Sequence, residues 1–343
     1  MLRFLLRWLL VLVIAIPFCV YIGAASLKGY LDTPLNLQGE EQIQVPAGMS
    51  LTRLANQLAD QGLLTLPQLF TAYARLTDQT AIRVGEYKLD EGVNPRQLLD
   101  LLISGKVVNY QITFPEGLNF KEWRSILAKQ PKLTKKLPGL TVQELLQQLS
   151  LGINHPEGWF FPDTYLYTAG DSDYDILLQA YTRMRKILAE EWKNKSEDLP
   201  FSTPYEALIL ASIVEKETGV GSERDEIAGV FVRRLKKGMR LQTDPTVIYG
   251  LGDKYQGNIT RSHLKQPTPY NTYVINGLPP TPIAMPGQDA IHAALHPVKG
   301  KSLYFVAKGD GSHYFSATLK EHVQAVKRYQ LKRRSNYRSS PGS

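Results

Sequence analysis

An uninterrupted apolar run near the N-terminus is the feature that most restricts how this chain can fold. Residues 8–25 carry no charged side chain, and about 20 such residues cross the hydrocarbon core of a bilayer as a helix. Arg3 and Arg7 precede the run, and basic residues that flank a span stay on the cytoplasmic side. We therefore expect a cytoplasmic stub at residues 1–7, a transmembrane helix at residues 8–28 and an exported remainder.

A cleaved signal peptide is the alternative interpretation of this run. Gly23, Ala24 and Ala25 are small residues of the kind that precede a cleavage site. The run is longer than the roughly 7 to 15 apolar residues of a signal core, and lipid-embedded helices tolerate a proline such as Pro17. The sequence thus favours a single-pass protein of the inner (cytoplasmic) membrane with a periplasmic C-terminal domain.

The charge distribution argues against nucleic acid as a partner. The net charge is +8, but six basic residues lie in the acid-free stretches 1–7 and 331–343, so the rest of the chain carries only +2. A nearly neutral body offers no basic stripe for phosphates. Residues 331–343 are basic and rich in serine, and we expect them to form a disordered tail.

Two similar strand-turn-helix patterns follow the predicted anchor. In the first, residues 42–45 alternate like a strand and Ser50 is a good N-cap for an apolar helical pattern. The second comes 69 residues later, with Asn119 as its N-cap. The arrangement resembles LysM domains, so we assign residues 40–155 to a small α+β LysM-like module and a linking strand-turn-helix unit. The alternative is an α+β spacer that holds the next domain away from the membrane.

A buried helix carries the candidate catalytic acid. The helix begins at a capping box with proline at its first position, in residues 203–206, and residues 207–214 are apolar on nearly every face. Glu215 and Glu217 close this helix, where low dielectric and the negative end of the helix dipole disfavour a carboxylate anion. A glutamic acid in such a place can stay protonated and serve as a general acid. Spacing alone does not choose between the two, and both could instead be solvated at a fraying helix end; a further helix is predicted to begin at Ser222.

Polar and aromatic side chains then cluster in two loops that suit a sugar ligand. Sugars are bound by hydrogen bonds to their hydroxyl groups and by stacking on aromatic rings. The alternative is that Asp244 and Asn271 only stabilise turns. The candidate residues are Gln242, Thr243, Asp244, Tyr249, Tyr270, Asn271 and Tyr273.

Five longer stretches occur in a fixed order along the chain: EGWFFPDT at 157–164, ASIVEKET at 211–218, LQTDPT at 241–246, YNTY at 270–273 and GLPP at 277–280. Taken in order, these motifs resemble the endolytic murein transglycosylases of the YceG-like family. The resemblance covers essentially the whole chain, and it implies an α+β protein with a larger YceG-like catalytic domain at residues 156–330. One difference is Met285, where many relatives carry a polar residue, so local sugar contacts are expected to differ if that loop touches substrate.

The resemblance also implies roles. Glu217, the second glutamate of the Glu-Lys-Glu run, is expected to be the catalytic acid, and Glu215 joins the seven loop residues as a substrate-binding candidate. The implied reaction cuts the bond between N-acetylmuramic acid and N-acetylglucosamine within nascent glycan strands and leaves 1,6-anhydro ends. It would terminate polymerisation beside bifunctional penicillin-binding proteins and would need no cofactor.

The sequence leaves three alternatives open. A water-using muramidase would employ Asp244 as its second carboxylate. A non-catalytic peptidoglycan-binding scaffold for division or wall synthesis would need no acid at all. A metalloenzyme would use His292 and His296, four residues apart on a predicted helix, but no acidic base lies between them as in an H-E-x-x-H motif. The only cysteine, Cys19, lies in the apolar run, so no Cys-ligated metal site is expected. We expect His292 and His296 to cap or pack their helix, and therefore no metal.

Overall fold

The computed structural model describes residues 2–217 and 219–330, with the backbone alone for residues 2–12. The predicted disordered tail at 331–343 and Thr218 lie outside the described residues. Helices and strands are mixed, as an α+β chain requires. In chain order the elements are α1 (Leu2–Asp32), β1 (Glu41–Val45), α2 (Leu51–Asp60), α3 (Pro67–Leu76), β2 (Gly85–Leu89), α4 (Pro95–Ser104), β3 (Asn109–Thr113), α5 (Phe120–Ala128), α6 (Val142–Leu149), β4 (Thr164–Thr168), α7 (Asp173–Lys193), α8 (Pro204–Glu217), α9 (Arg224–Lys236), α10 (Asp244–Leu251), α11 (Arg261–Lys265), α12 (Gln288–Leu295), β5 (Tyr304–Ala307), β6 (His313–Ser316) and α13 (Leu319–Tyr329).

Helix α1 contains the predicted membrane span. Among the described residues it is the one helix long and apolar enough to cross a bilayer, and an apolar stretch of 18 residues within Val13–Asp32 has no residue buried by the protein. The helix continues through Pro17. Leu31, near its C-terminal end, is buried, and the Tyr30 hydroxyl donates a hydrogen bond to the Thr65 carbonyl at 2.7 Å. These features are consistent with a single-pass membrane protein.

The described chain divides into two compact units. The first takes in the chain up to residue 110 together with Lys132–Thr134 and Leu166–Asp171, and the second takes in the rest. The linking strand-turn-helix unit falls mostly in the second unit, so the units divide the chain at a different place from the domains predicted at 40–155 and 156–330. Those domain boundaries, and the LysM-like character of the module, stay predictions.

The first unit is built on one antiparallel strand pair. Strands β1 and β2 pair from Glu41 opposite Leu89 to Val45 opposite Gly85. Alternate residues of both strands point into a core shared with α2, α3 and α4. Ser50 caps α2 as predicted, since its side chain accepts a hydrogen bond from the Arg53 amide.

The second predicted strand-turn-helix pattern is also confirmed. Strand β3 leads to α5, whose N-cap Asn119 forms a capping box with Glu122. Phe114, in the turn, stacks on Trp123 of α5 with ring centroids 3.7 Å apart. Strands β3 and β4 form a two-stranded sheet.

Helix α8 lies at the centre of the second unit. Residues 207–214 are all buried, as their composition predicts, and the helix packs against α7, α9 and α12. Its N-terminus is the predicted capping box: the Glu206 amide donates to the Thr203 hydroxyl at 3.3 Å, and the Thr203 amide donates to the Glu206 carboxylate at 3.0 Å. Strands β5 and β6, which follow one another in the chain, form an antiparallel pair from Tyr304 opposite Ser316 to Ala307 opposite His313.

The predicted start of α9 at Ser222 is wrong. Ser222 lies inside a 3-10 turn, Gly221–Glu223, that runs directly into α9 at Arg224. The residue before the helix, Glu223, already has helical backbone angles and caps nothing with its side chain. Its carboxylate instead accepts hydrogen bonds from the His313 amide, at 3.0 Å, so a contact distant in sequence replaces the local cap.

Candidate active site

Glu217 ends helix α8 and is half-buried as a residue, while protein atoms surround its carboxyl group. The Thr243 hydroxyl donates a hydrogen bond to Glu217 Oε1. Burial raises the pKa of Glu217 to about 7, and the negative charge of Asp244 acts in the same direction, whereas the Thr243 hydrogen bond and the Arg234 guanidinium oppose it. A carboxyl group with this pKa can hold a proton at neutral pH and also release it.

A tight turn before α10 aims Thr243 at the acid. Gln242 has a left-handed backbone conformation, with φ of 51°, and its amide donates to the Thr272 carbonyl at 3.2 Å. The Thr243 amide donates to the Thr272 hydroxyl at 3.0 Å. Thr243 occupies the N-cap position of α10, yet its hydroxyl makes no cap bond. That hydroxyl is used by Glu217 instead.

Asp244 and Tyr273 extend this cluster. The Tyr273 hydroxyl donates to Asp244 Oδ1 at 2.6 Å, and burial together with this carboxylate raises the pKa of Tyr273. The side chains of Gln242 and Asp244 are exposed beside the enclosed acid. The structure therefore brings four predicted site residues (Thr243, Asp244, Tyr273 and Glu217) into one connected group with an open side.

Arg234 is a member of the site that the sequence did not single out. It is 7% exposed, and its guanidinium donates to the carbonyls of Leu241 and Leu303 at 2.8 and 2.7 Å. Its Nη1 also lies 3.5 Å from Gln242 Oε1. A buried cation here fixes the loop and lowers the pKa of Glu217. The sequence did contain a signal for Arg234, because it follows the apolar residues of α9 and arginine is rarely buried unless it has a partner.

Glu215 lies in different surroundings. Its Oε2 accepts a hydrogen bond from the Gly287 amide at 3.0 Å, at the N-cap of α12. Burial raises the pKa of Glu215, and the Gly287 amide lowers it. Of the nearby cationic side chains, Lys216 donates to the Gly117 carbonyl and Arg224 pairs with Asp289. The hydrogen bond from Gly287 indicates that Glu215 holds the loop before α12 against helix α8.

Tyr249 and Tyr270 belong to a second cluster, organised by Glu157. The Tyr249 hydroxyl donates to Glu157 Oε2 at 2.9 Å, and the two tyrosine rings meet edge to face with centroids 4.9 Å apart. Glu157 Oε1 accepts from the Phe120 amide at 3.0 Å. Glu157 is 3% exposed, and burial raises the pKa of Glu157 to about 8. The sequence contained a signal for it, since Glu157 opens the stretch at 157–164, but no role followed from that.

A cavity of about 610 Å³ adjoins this second cluster. Glu157 and Tyr249 contribute to its wall, with apolar, basic and histidine side chains around them. A volume of this size accommodates a small ligand or a sugar unit. The lining residues include Phe120, Arg124, Leu137, Pro138, Val142 and His155.

Asn271 is buried and fully engaged within its own loop. Its side-chain amide donates to the carbonyls of His263, Leu264 and Gln266 at 3.1, 3.2 and 2.7 Å. Its side-chain oxygen accepts from the Tyr273 amide at 3.0 Å. These contacts favour the alternative that Asn271 stabilises the turn and thereby places Tyr273.

Met285 is a packing residue. Its side chain is fully buried, with the sulfur 3.2 Å from the Gly158 amide. Its backbone bonds to Gly117 and Leu118. Any difference from relatives at this position is therefore expected to affect the core of the second unit.

One group of side chains among the described residues has the composition of a metal site. It consists of Glu191, His292 and His296. These residues lie on α7 and at α12, not in the loops that surround Glu217.

Comparison with known proteins defines the class of protein to which this fold and site belong. The sequence profile of the YceG-like family matches residues 43–328. The chain therefore belongs to the YceG-like family.

Individual relatives agree with this assignment. The chain is 32% identical over 328 residues to a Bacillus subtilis (strain 168) protein named endolytic murein transglycosylase, with 90% of this chain and 91% of the relative covered. A Streptococcus pneumoniae (strain D39) protein of the same name is 28% identical, with 91% of this chain covered but 64% of the longer relative. The crystal structure of a yceG-like protein from Listeria monocytogenes is similar at 31% identity with a TM-score of 0.51, covering 83% of this chain and 98% of that one.

Proposed function

We propose that this protein is a membrane-anchored endolytic murein transglycosylase with Glu217 as its catalytic acid. The observation that carries the proposal is the enclosed carboxyl group of Glu217, with a pKa of about 7 and a hydrogen bond from Thr243. It occurs in a chain of the YceG-like family whose relatives in two organisms bear that name. Peptidoglycan is then the substrate.

In the first step Glu217 donates its proton to the oxygen that bridges N-acetylmuramic acid and N-acetylglucosamine. The bond between the muramyl C1 and that oxygen breaks, and positive charge develops at C1. The exposed carboxylate of Asp244, beside the acid, stabilises this charge electrostatically.

In the second step the muramyl C6 hydroxyl attacks C1 and closes the 1,6-anhydro ring. Its proton passes to the Glu217 carboxylate, which returns to the acid form. No water and no cofactor enters the balance. The pKa of about 7 suits both halves, because the same group must first give up a proton and then take one.

The remaining candidates are proposed to position the glycan rather than to react. Gln242, Asp244 and Tyr273 offer hydrogen-bonding groups beside the acid, and Tyr249 with Tyr270 offers an aromatic surface. Glu157 holds the Tyr249 hydroxyl. Glu215 and Asn271 act indirectly, by fixing the Gly287 and Tyr273 backbone.

The anchor places this chemistry at the membrane surface. We propose that α1 spans the inner membrane with the two units in the periplasm, as Arg3 and Arg7 indicate. Nascent strands leave the membrane-bound synthases at that surface, so bifunctional penicillin-binding proteins are the proposed partners and strand termination the proposed role. Glycan binding by the LysM-like module is a further part of the proposal.

Product analysis tests the reaction class. Full-length protein in detergent is incubated with uncrosslinked glycan strands, and the products are examined by mass spectrometry. Internal cuts with 1,6-anhydro ends are expected. Reducing ends, heavier by one water, would identify a muramidase and implicate Asp244 as the second carboxylate. Intact strands after incubation with folded protein would instead support the non-catalytic scaffold.

A further inference from the structure

Two helices of the second unit bring three metal-ligating side chains together. His292 lies on α12, His296 is the residue that ends it, and Glu191 lies in the last turns of α7. His292 Nδ1 is 2.9 Å and His296 Nε2 is 3.5 Å from Glu191 Oε2. One atom from each of the three residues lies within 4.8 Å of the other two.

These distances fit the ligand shell of a small transition metal. Tetrahedral zinc with bonds of about 2.0 to 2.1 Å places its ligand atoms about 3.3 Å apart. The two observed distances to Glu191 lie on either side of that value. The His292 side chain is 52% exposed, so its ring can rotate to adjust the position of its nitrogen in a shared ligand shell.

The helix itself prepares the pair of imidazoles. Residues four apart lie on the same helical face, and the rings of His292 and His296 stack with centroids 4.3 Å apart. Glu191 approaches this pair from another helix and is only 16% exposed. The third ligand is therefore held in place by tertiary packing.

The donor set selects the class of metal. Two imidazole nitrogens and one carboxylate oxygen suit zinc and neighbouring divalent transition metals, whereas magnesium and calcium prefer oxygen ligands alone. We propose that Glu191, His292 and His296 form a binding site for Zn²⁺ or a similar divalent transition metal, which links α7 to α12. Water completes the fourth position.

The consequence is structural. Both α7 and α12 pack against α8, the helix that carries Glu217. A metal that joins these two helices stabilises the support of α8 and takes no part in glycan cleavage. Removing the metal lowers the melting temperature and leaves the acid in place.

Titration calorimetry tests the site, with full-length protein that carries no histidine tag, in detergent and free of chelator. Zn²⁺ is expected to bind with a stoichiometry of one and to raise Tm by several degrees. His292→Ala and Glu191→Gln are each expected to weaken the affinity by roughly tenfold or more. His263→Ala, which changes a histidine on α11, is the matched control and leaves the affinity unchanged. Mg²⁺ produces no shift in Tm.

Two results would overturn the proposal. Equal Zn²⁺ affinity in the wild type, His292→Ala and Glu191→Gln would mean that Glu191 only accepts hydrogen bonds from the histidines. The absence of Zn²⁺ binding to the wild-type protein would likewise show that these three residues do not form a metal site. Glycan cleavage is measured separately, with and without a strong chelator. Cleavage is expected to be unchanged by the chelator, because the metal takes no part in the reaction. The zinc site and the catalytic assignment can therefore fail independently of each other.

Discussion

At the scale of single residues, Glu217 and Glu215 are two residues apart but have different surroundings. Glu215 accepts a hydrogen bond from the Gly287 amide. Glu217 instead lies near the Thr243 hydroxyl, the Asp244 carboxylate and the Arg234 guanidinium. Burial raises the pKa of Glu217 most, and the balance of these neighbouring groups adjusts it. Each neighbour can therefore be removed to test the balance.

Two substitutions should move the pH dependence of cleavage in opposite directions. The acid must be protonated, so kcat/KM falls as pH rises through about 7. Thr243→Val removes a hydrogen bond that stabilises the anion, which raises the pKa of Glu217 and moves this limb to higher pH. Asp244→Asn removes a negative neighbour, which lowers the pKa of Glu217 and moves the limb to lower pH. The profile of kcat/KM against pH, measured for each variant, checks both directions.

Thr182→Val is the control for this experiment. Thr182 lies on an exposed face of α7 with its hydroxyl bonded to the Leu178 carbonyl. Its profile should coincide with that of the wild type. Shifts in the same direction for Thr243→Val and Asp244→Asn would contradict the assigned electrostatics.

The sequence could predict the type of acid and its position on a buried helix, but not its partners. Glu217 and Glu215 were equivalent by spacing, and only the resemblance chose between them. Arg234 and Glu157 were missed because their roles depend on contacts across many residues, such as that of Glu157 with Tyr249. Desolvation and hydrogen bonding of this kind are properties of the packed fold.

At the scale of elements, local signals were sufficient wherever a cap or an apolar pattern decides the structure. The helix starts at Ser50, Asn119 and Thr203 were predicted from side chains that cap within three residues. The predicted helix start at Ser222 was wrong because the 3-10 turn there is stabilised by the contact of Glu223 with His313, which is distant in sequence. Short-range chemistry predicts a helix start only when nothing distant competes.

Gly158 offers a test of packing between loops of the second unit. Its φ is 82°, and an added Cβ would lie 2.5 Å from Pro282 Cγ. Gly158→Ala is therefore expected to lower the free energy of unfolding by roughly 2 to 4 kcal/mol, through backbone strain and collision with a rigid ring. Urea or thermal unfolding of the full-length protein measures this.

Gly221→Ala provides the comparison, because Gly221 has no atom within 4 Å of an added Cβ and no positive φ. It should change the unfolding free energy by less than about 0.5 kcal/mol. Equal effects of the two substitutions would show that the 157–164 stretch is not packed against Pro282 as described.

At the scale of the whole molecule, the chain consists of an apolar N-terminal helix and two compact units. Composition and charge were enough to predict an anchor and to argue against nucleic acid, because both depend on residue type and order alone. The division of the chain near residue 110 was not predicted, since residues 111–131 pack with a unit whose other parts come later in the chain.

The orientation of the anchor can be measured with fusions to the C-terminus. Alkaline phosphatase, which folds only outside the cytoplasm, is expected to be active, and green fluorescent protein exported in unfolded form is expected to be dark. By the positive-inside rule, Arg3 and Arg7 are expected to keep the N-terminus in the cytoplasm, so replacing both with Glu should reduce phosphatase activity. A bright fluorescent fusion to the wild-type chain would contradict a periplasmic catalytic unit.

Paired substitution tests most directly whether Glu217, and not Glu215, is the catalytic acid. Cleavage of uncrosslinked glycan strands is measured for Glu217→Gln and Glu215→Gln, with matching melting temperatures as evidence of folding. Glu217→Gln is predicted to lose roughly 10² to 10⁴ in rate, the usual contribution of a general acid. Glu215→Gln is predicted to stay within about tenfold of the wild type, because an amide oxygen can still accept the Gly287 hydrogen bond. An active Glu217→Gln beside an inactive Glu215→Gln would contradict the account.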